Sequence, residues 1–206
     1  MRKIDAYCGG PFQTNGFLVT TESKRYLFDA PEGVAEWAAR EGEELHGLLL
    51  THQHHDHVIG AAAVVEQFDC PVWAHSEPSD DLTLASRLEE MLGFPCPLDS
   101  YAIDHLLAGE TTLDLPELSL SLLAVPGHSP DSLCFRIEGH PVLIGGDVLF
   151  AGGIGRTDFP HGDHDLLLSG IREKLWPLDE NTQVLPGHGP PTTIGEEKRS
   201  NPFVGV

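Results

Sequence analysis

The sequence predicts an α/β domain of two mixed β-sheets packed together, with helices on the outer faces. Three observations lead there. Strand-length apolar segments cluster in both halves of the 206-residue chain, with helical stretches between and after them, and two sheets covered by helices suit that order. Leu45 to Thr51 is a near-continuous apolar run, as in a strand covered on both faces. The 22 glycines and 16 prolines are spread throughout, which marks many turns between short elements rather than one flexible linker. A chain of this length supports one full core, so residues 1–206 are read as a single domain.

The elements follow in order. Lys3 to Cys8, Phe17 to Thr20 and Arg25 to Asp29 read as strands, and Gly33 to Glu41 as a helix. After the apolar strand at Leu45 to Thr51 come a helix over Gly60 to Phe68, a strand at Pro71 to His75 and a helix over Leu82 to Leu92. Phe94-Pro95-Cys96-Pro97 breaks the pattern. Strands resume at Leu118 to Val125, Leu133 to Ile137 and Pro141 to Ile144. A helix over Asp165 to Leu175, a strand at Gln183 to Leu185 and a short C-terminal helix complete the chain.

His52-Gln53-His54-His55-Asp56-His57 stands directly after the apolar strand. Read as His-x-His-x-Asp-His, it keeps His52, His54, Asp56 and His57 and leaves out His55. Alternate residues of an extended segment share a side, so His52 and His54 converge on one ion. Asp56 and His57, where the chain turns toward the next helix, face a second.

Three later segments have the same context: Pro126-Gly127-His128, Gly145-Gly146-Asp147 and Pro186-Gly187-His188 each follow a strand. Their glycines let the backbone come close or adopt positive φ at a strand tip. The seven donors exceed the three protein groups of a typical catalytic zinc, whereas two ions sharing a carboxylate account for all of them. His52, His54 and His128 would hold the first ion, Asp56, His57 and His188 the second, and Asp147 would bridge. Imidazole and carboxylate without thiolate favour zinc, iron or manganese, with zinc as the first expectation. His46, His55, His75, His105, His140, His161 and His164 are assigned ordinary structural roles, the alternation turning His55 away from the ligands.

Composition narrows the function. Twelve basic against 32 acidic residues give a formal charge of −20, the reverse of what nucleic-acid binding needs. No stretch approaches the ~18 apolar residues of a membrane helix, and no apolar stretch follows Met1-Arg2-Lys3 as in a secretion signal. A cytoplasmic protein that binds neither nucleic acid nor membrane is expected. Cys8, Cys70, Cys96 and Cys134 form no Cys-x-x-Cys pair and read as reduced thiols.

Thr51-His52-Gln53-His54-His55-Asp56-His57, Pro126-Gly127-His128, Gly146-Asp147 and Pro186-Gly187-His188 together resemble the metallo-β-lactamase superfamily, and within it the glyoxalase II (hydroxyacylglutathione hydrolase) branch. Gly155-Arg156-Thr157-Asp158-Phe159, Pro11-Phe12-Gln13-Thr14-Asn15 and the ending from Gly187-His188-Gly189-Pro190 to Asn201-Pro202-Phe203 resemble its short hydrolases. The resemblance implies an αββα sandwich with the metals at one edge of the two sheets, and Arg156 as the basic residue that binds a substrate carboxylate. An ion pair with Asp158 is the alternative for Arg156. Two departures stand out. Only 18 residues follow His188, where typical glyoxalase II proteins continue into a helical domain that grips glutathione, and Asp131 stands where relatives often have glycine.

Metal-bound water with a pKa lowered toward ~7 would attack a thioester carbonyl while a metal stabilises the oxyanion. A thiolate from a thiol of pKa ~8.5 leaves without prior protonation, and the motifs contain no dedicated general acid. Asp56 and Asp147 are the carboxylates of this catalytic centre, Asp56 as a ligand rather than a base. The expected substrate is a small acyl thioester, S-D-lactoylglutathione or a related hydroxyacyl thioester. The runner-up is the persulfide dioxygenase branch, whose single iron would fall to His52, His128 and Asp147. A non-catalytic metal-binding module is the third reading, and β-lactam cleavage ranks below these because its nitrogen leaving group needs an acid. The sequence leaves the oligomeric state open.

Overall fold

The computed structural model describes residues 3–205. The chain divides after Ala108 into two compact units, each with a six-stranded mixed sheet.

The first unit opens with a hairpin of β1 (Lys3–Gly9) and β2 (Thr14–Thr20), followed by β3 (Arg25–Phe28), helix α1 (Val34–Glu41) and β4 (Gly47–Leu49). Next come the one-turn helix α2 (His55–Val58), α3 (Ala61–Phe68), β5 (Val72–Ala74), α4 (Asp80–Thr83), α5 (Ala85–Leu92) and β6 (His105–Leu106). The strands lie side by side in chain order. β1, β2 and β3 pair antiparallel, whereas β3, β4, β5 and β6 run parallel. Leu18, Leu27, Leu48 and Val72 of the sheet share a buried cluster with Val34 and Ala35 of α1 and Ala61 and Val64 of α3. β4, flanked by parallel neighbours, is buried at all three residues, which explains its apolar run.

The second unit contains β7 (Thr112–Leu115), β8 (Leu118–Ala124), β9 (Leu133–Ile137), β10 (Val142–Gly146), a small ribbon of β11 (Leu149–Phe150) and β12 (Gly153–Ile154), and α6 (His164–Gly170). A π-helical turn (Ile171–Leu175), β13 (Gln183–Pro186), β14 (Thr192–Thr193) and α7 (Ile194–Ser200) complete it. The sheet order is β14-β13-β10-β9-β8-β7. β10 and β13 are parallel, and β8 runs in the same direction because both β8 and β10 are antiparallel to β9. Leu143, Val184, Leu167, Ile171 and Ile194 form its core.

The two mixed sheets with their helices agree with the α/β fold class, and the differences are local. The helix expected over Leu82 to Leu92 is broken at Leu84, whose φ is +56° and whose side chain is buried. Ser79 Oγ accepts from Leu82 N in α4, and Asp80 Oδ1 accepts from Ser86 N as α5 begins. β7 escapes a sequence reading because its residues are exposed or half-buried. Pro116 and Glu117, the latter at φ +63°, turn it into β8, where proline supplies a fixed φ and the next residue the left-handed one. The remaining additional strands have two residues each, too few to show a period.

All four cysteines are free; Cys8 is exposed while Cys70, Cys96 and Cys134 are buried. Burial pushes the Cys70 thiol up to about 11 and the Cys134 thiol up to about 12. The thiolate is the reactive form. A disulfide reagent at pH 8 is therefore expected to titrate one thiol, Cys8, in the folded protein and all four after unfolding. Rapid release of more than one equivalent would contradict this burial.

Candidate metal centre

In the first unit the parallel register sets the site. Phe28 of β3 lies opposite Leu49 of β4, so the residues beyond both strand ends emerge at one sheet edge. Carboxyl ends of parallel strands are where α/β sheets place ligands. The edge carries Asp29 from β3 and Thr51-His52 from β4.

Asp29 is a buried carboxylate that the sequence reading missed. Its Oδ1 accepts from the Thr51 backbone N–H (2.7 Å), and its Oδ2 accepts from Thr51 Oγ1 (2.8 Å) and from His57 Nδ1 (2.9 Å). These bonds determine tautomers. His57 must carry its proton on Nδ1 to donate to a carboxylate. Thr51 Oγ1 has committed its one hydrogen to Asp29, so it accepts from His52 Nδ1 at 3.1 Å. In the neutral ring a protonated Nδ1 makes Nε2 the lone-pair nitrogen. His52 and His57 thus both present Nε2 for coordination. Such carboxylate–histidine pairs orient ligands and raise their basicity.

The rings of His52 and His54 lie 4.6 Å apart and those of His52 and His57 4.1 Å apart. His57 Nε2 is 3.6 Å from Asp56 Oδ2, whose carboxylate accepts from Thr14 Oγ1 at 2.6 Å. Asp56 and His57 belong to α2, a separate turn of helix rather than the start of α3. At Gly60, between the two helices, a β-carbon would fall 2.7 Å from Pro31 O, so only glycine brings the chain back this close to Ala30-Pro31. His55 is buried and its Nε2 lies 3.1 Å from Pro97 O, a structural partner outside the ligand pattern.

In the second unit His128, Asp147 and His188 follow the ends of the co-directional strands β8, β10 and β13. Asp147 Oδ2 lies 3.5 Å from His128 Nε2 and 3.3 Å from His188 Nε2. Two donor atoms each about 2.0–2.1 Å from a tetrahedral ion lie roughly 3.3–3.4 Å apart, so these spacings fit ligands around a metal. His128 Nδ1 faces the carbonyl oxygen of Arg156 at 2.7 Å. A carbonyl only accepts, so this ring too presents Nε2.

Gly155 is required here: a β-carbon would stand 2.0 Å from Asp147 O and 2.9 Å from the His128 ring. Gly127, at φ +131°, would drive one into Leu167 N and Asp163 O. Asp131 is buried and accepts from Ser129 Oγ, so it closes a turn.

Each of the seven expected donors is among the described histidines and aspartates that could contribute to holding a metal ion. Arg156 makes a two-pronged ion pair with Asp158, 2.6 Å at each contact, and stacks over Phe159 with its guanidinium 4.0 Å from the ring centre. The Arg156 hydrogen bonds hold the Asp158 carboxyl down at about 2. The pair is therefore fully present at neutral pH and is lost only as pH falls through that value.

A family model described as the metallo-β-lactamase superfamily matches residues 9–188. The chain belongs to the metallo-β-lactamase superfamily. Among curated superfamily members it is 40% identical over 199 residues to the hydroxyacylglutathione hydrolase GloC of Haemophilus influenzae, covering 94% of this chain and 93% of that one. Two solved members align over nearly their whole length. The BLEG-1 B3 metallo-β-lactamase is 39% identical at a TM-score of 0.89, covering 98% of this chain and 99% of that one. TTHA1623 in a di-iron-bound form is 33% identical at a TM-score of 0.83, covering 97% and 99%. The chain is a metallo-hydrolase-type superfamily member with histidine and aspartate groups that could hold a metal ion. Among the described residues no helix is long and apolar enough to cross a membrane.

Proposed function

We propose that the protein is a metal-dependent hydrolase of acyl thioesters, acting on S-D-lactoylglutathione or a related hydroxyacyl thioester. The observation that carries this reading is the preset ligand chemistry. Three buried histidines have Nδ1 engaged by Thr51, by Asp29 and by the Arg156 carbonyl, which leaves Nε2 as the coordinating nitrogen in each. In this reading His52, His54 and His128 would hold one divalent ion and Asp56, His57 and His188 a second, with Asp147 as the shared carboxylate. Zinc is the first candidate, and iron and manganese suit the same donors; the di-iron-bound form of TTHA1623 lends support to iron.

Bound there, divalent ions would supply a water of lowered pKa and a Lewis acid for the thioester carbonyl. The chain's own residues do the positioning. Asp29 keeps the His57 ring oriented, the Arg156 carbonyl does the same for His128, and Thr14 holds the Asp56 carboxylate by donating to Oδ2. A thiolate leaves without a proton donor, in keeping with the absence of a dedicated acid from the motifs. Arg156, exposed beside Asp158, exchanges that carboxylate for one on the substrate. Arg156→Ala is then expected to raise KM for a carboxylate-bearing thioester several-fold with little change in kcat; an unchanged KM would remove Arg156 from substrate binding.

β-Lactam hydrolysis is the second reading, favoured by the 39% identity to the BLEG-1 B3 metallo-β-lactamase. One set of measurements decides between them: metal content of the purified protein, with S-D-lactoylglutathione hydrolysis, cephalosporin hydrolysis and persulfide-dependent oxygen uptake assayed on the same sample. Two metals per chain with thioester turnover is the expected result. One iron with oxygen uptake, or cephalosporin turnover alone, would overturn it.

A further inference from the structure

The ligand chemistry leaves unused a pocket of about 230 Å³ in the first unit. That exceeds the ~150 Å³ cavity that accepts a benzene molecule. Its walls are mainly apolar. Phe12 comes from the turn between β1 and β2, Ile59 from the residue after α2, and Leu92 and Phe94 from the end of α5 and the loop beyond it. Asp56 is also part of the lining, so the pocket opens beside one of the proposed metal ligands.

Hydrogen bonds hold all three walls in place. Gln13 N donates to Gly10 O at 3.1 Å across the β1–β2 turn, and Thr14 at its end donates to Asp56. Beyond α5, Cys96 N donates to Glu89 Oε1 at 2.9 Å, and Pro97 O is the partner of His55 Nε2. The ring of Phe94, 58% exposed, and that of Phe12, 42% exposed, stand at the mouth, where two large apolar groups face water unless something covers them. Among the described residues the lining contains no lysine or arginine, and its two carboxylic acids are Glu32 and Asp56. A substrate arm carrying carboxylates, as both ends of glutathione do, meets like charge here and no counter-charge.

We infer that this pocket receives an uncharged, apolar arm of the thioester, about the size of a phenyl ring or a short branched alkyl chain. The inference rests on the thioester reading above and narrows its substrate class to a thioester with an apolar acyl or thiol arm, which favours a related thioester over S-D-lactoylglutathione itself. The carbonyl then lies at the Asp56 end of the pocket, with the apolar arm extending along Ile59 toward Phe94 and Phe12.

Two substrate series test it and identify the arm. Acetyl and phenylacetyl thioesters of N-acetylcysteamine vary the acyl side; acetyl thioesters of N-acetylcysteamine and of benzyl mercaptan vary the thiol side. One series is expected to show a preference in kcat/KM of roughly tenfold or more for the phenyl-bearing member, the scale expected when an aromatic group is buried. Phe94→Asp alters an exposed position, so folding is retained, and is expected to reduce that preference about tenfold. Binding of phenylacetamide to the zinc-loaded protein, followed by NMR, is expected to shift the amides of Phe12 and Ile59, and to do so much less in the Phe94→Asp variant. Equal rates within both series, or a preference that Phe94→Asp leaves intact, would overturn the inference. Should no thioester be turned over, the functional reading fails by itself and the NMR titration decides the pocket: shifts confined to its lining uphold an apolar ligand, and their absence rejects it.

Discussion

Asp147→Asn is expected to abolish metal-dependent hydrolysis while leaving the protein folded. Asn has nearly the same shape, and Asp147 is buried at the end of β10, so packing is preserved. What changes is charge and donor strength at an oxygen lying 3.3 Å from His188 Nε2 and 3.5 Å from His128 Nε2. If this carboxylate bridges two ions, its loss removes a ligand from both at once. Removing a metal's contribution to transition-state stabilisation costs several kcal/mol, so kcat/KM is expected to fall by roughly a thousandfold. Bound metal per chain should fall in parallel, with circular dichroism unchanged. An Asp147→Asn protein with full metal content and near-normal turnover would remove Asp147 from the centre.

The second large effect comes from a residue that is not itself a ligand. Asp29→Asn keeps a side chain that tolerates the φ of +60° at this position, yet it replaces one accepting oxygen with a donating amide. Thr51 N, Thr51 Oγ1 and His57 Nδ1 all donate to the Asp29 carboxylate, and an amide oxygen cannot serve donors placed on both sides. Leaving buried donors without an acceptor costs roughly 2–4 kcal/mol. At about 2–4 °C per kcal/mol for a protein of this size, the thermal midpoint of the metal-free protein should drop by roughly 5–15 °C. Loss of the His57 partner should also weaken metal binding by about 10–100-fold. A midpoint and a metal affinity both equal to wild type would show that Asp29 does not organise the site.

Much of the candidate site was legible before folding was considered. His52, His54, Asp56 and His57 fall within six residues after an apolar strand, and backbone geometry alone keeps such neighbours together. His128, Asp147 and His188 were legible for a related reason, since each follows a strand and a glycine. The fold class was readable from the alternation of strands and helices. Asp29 was not, because a lone aspartate after Phe28 resembles any turn residue until β3 pairs parallel with β4 in the register that brings it to Thr51. Leu84 was read into one continuous helix because leucine favours helices; burial of its side chain and the Ser79 and Asp80 caps prevailed.

Arg156 shows the division within one residue. Its side chain was singled out from the motif, and it makes the ion pair with Asp158 that was the alternative reading. Its carbonyl, which the sequence could not single out because every residue has one, accepts from His128.

By itself the sequence determined which candidate donors exist, in what order and after which strands, because covalent spacing and the strand period are local properties. Only the tertiary structure decided which nitrogen His52, His57 and His128 present and what lines the pocket beside Asp56. Those features depend on Asp29 meeting Thr51 and His57, and on Phe12, Ile59 and Phe94 gathering around one cavity. Such contacts between distant segments follow from sheet register and loop packing, which no local pattern encodes.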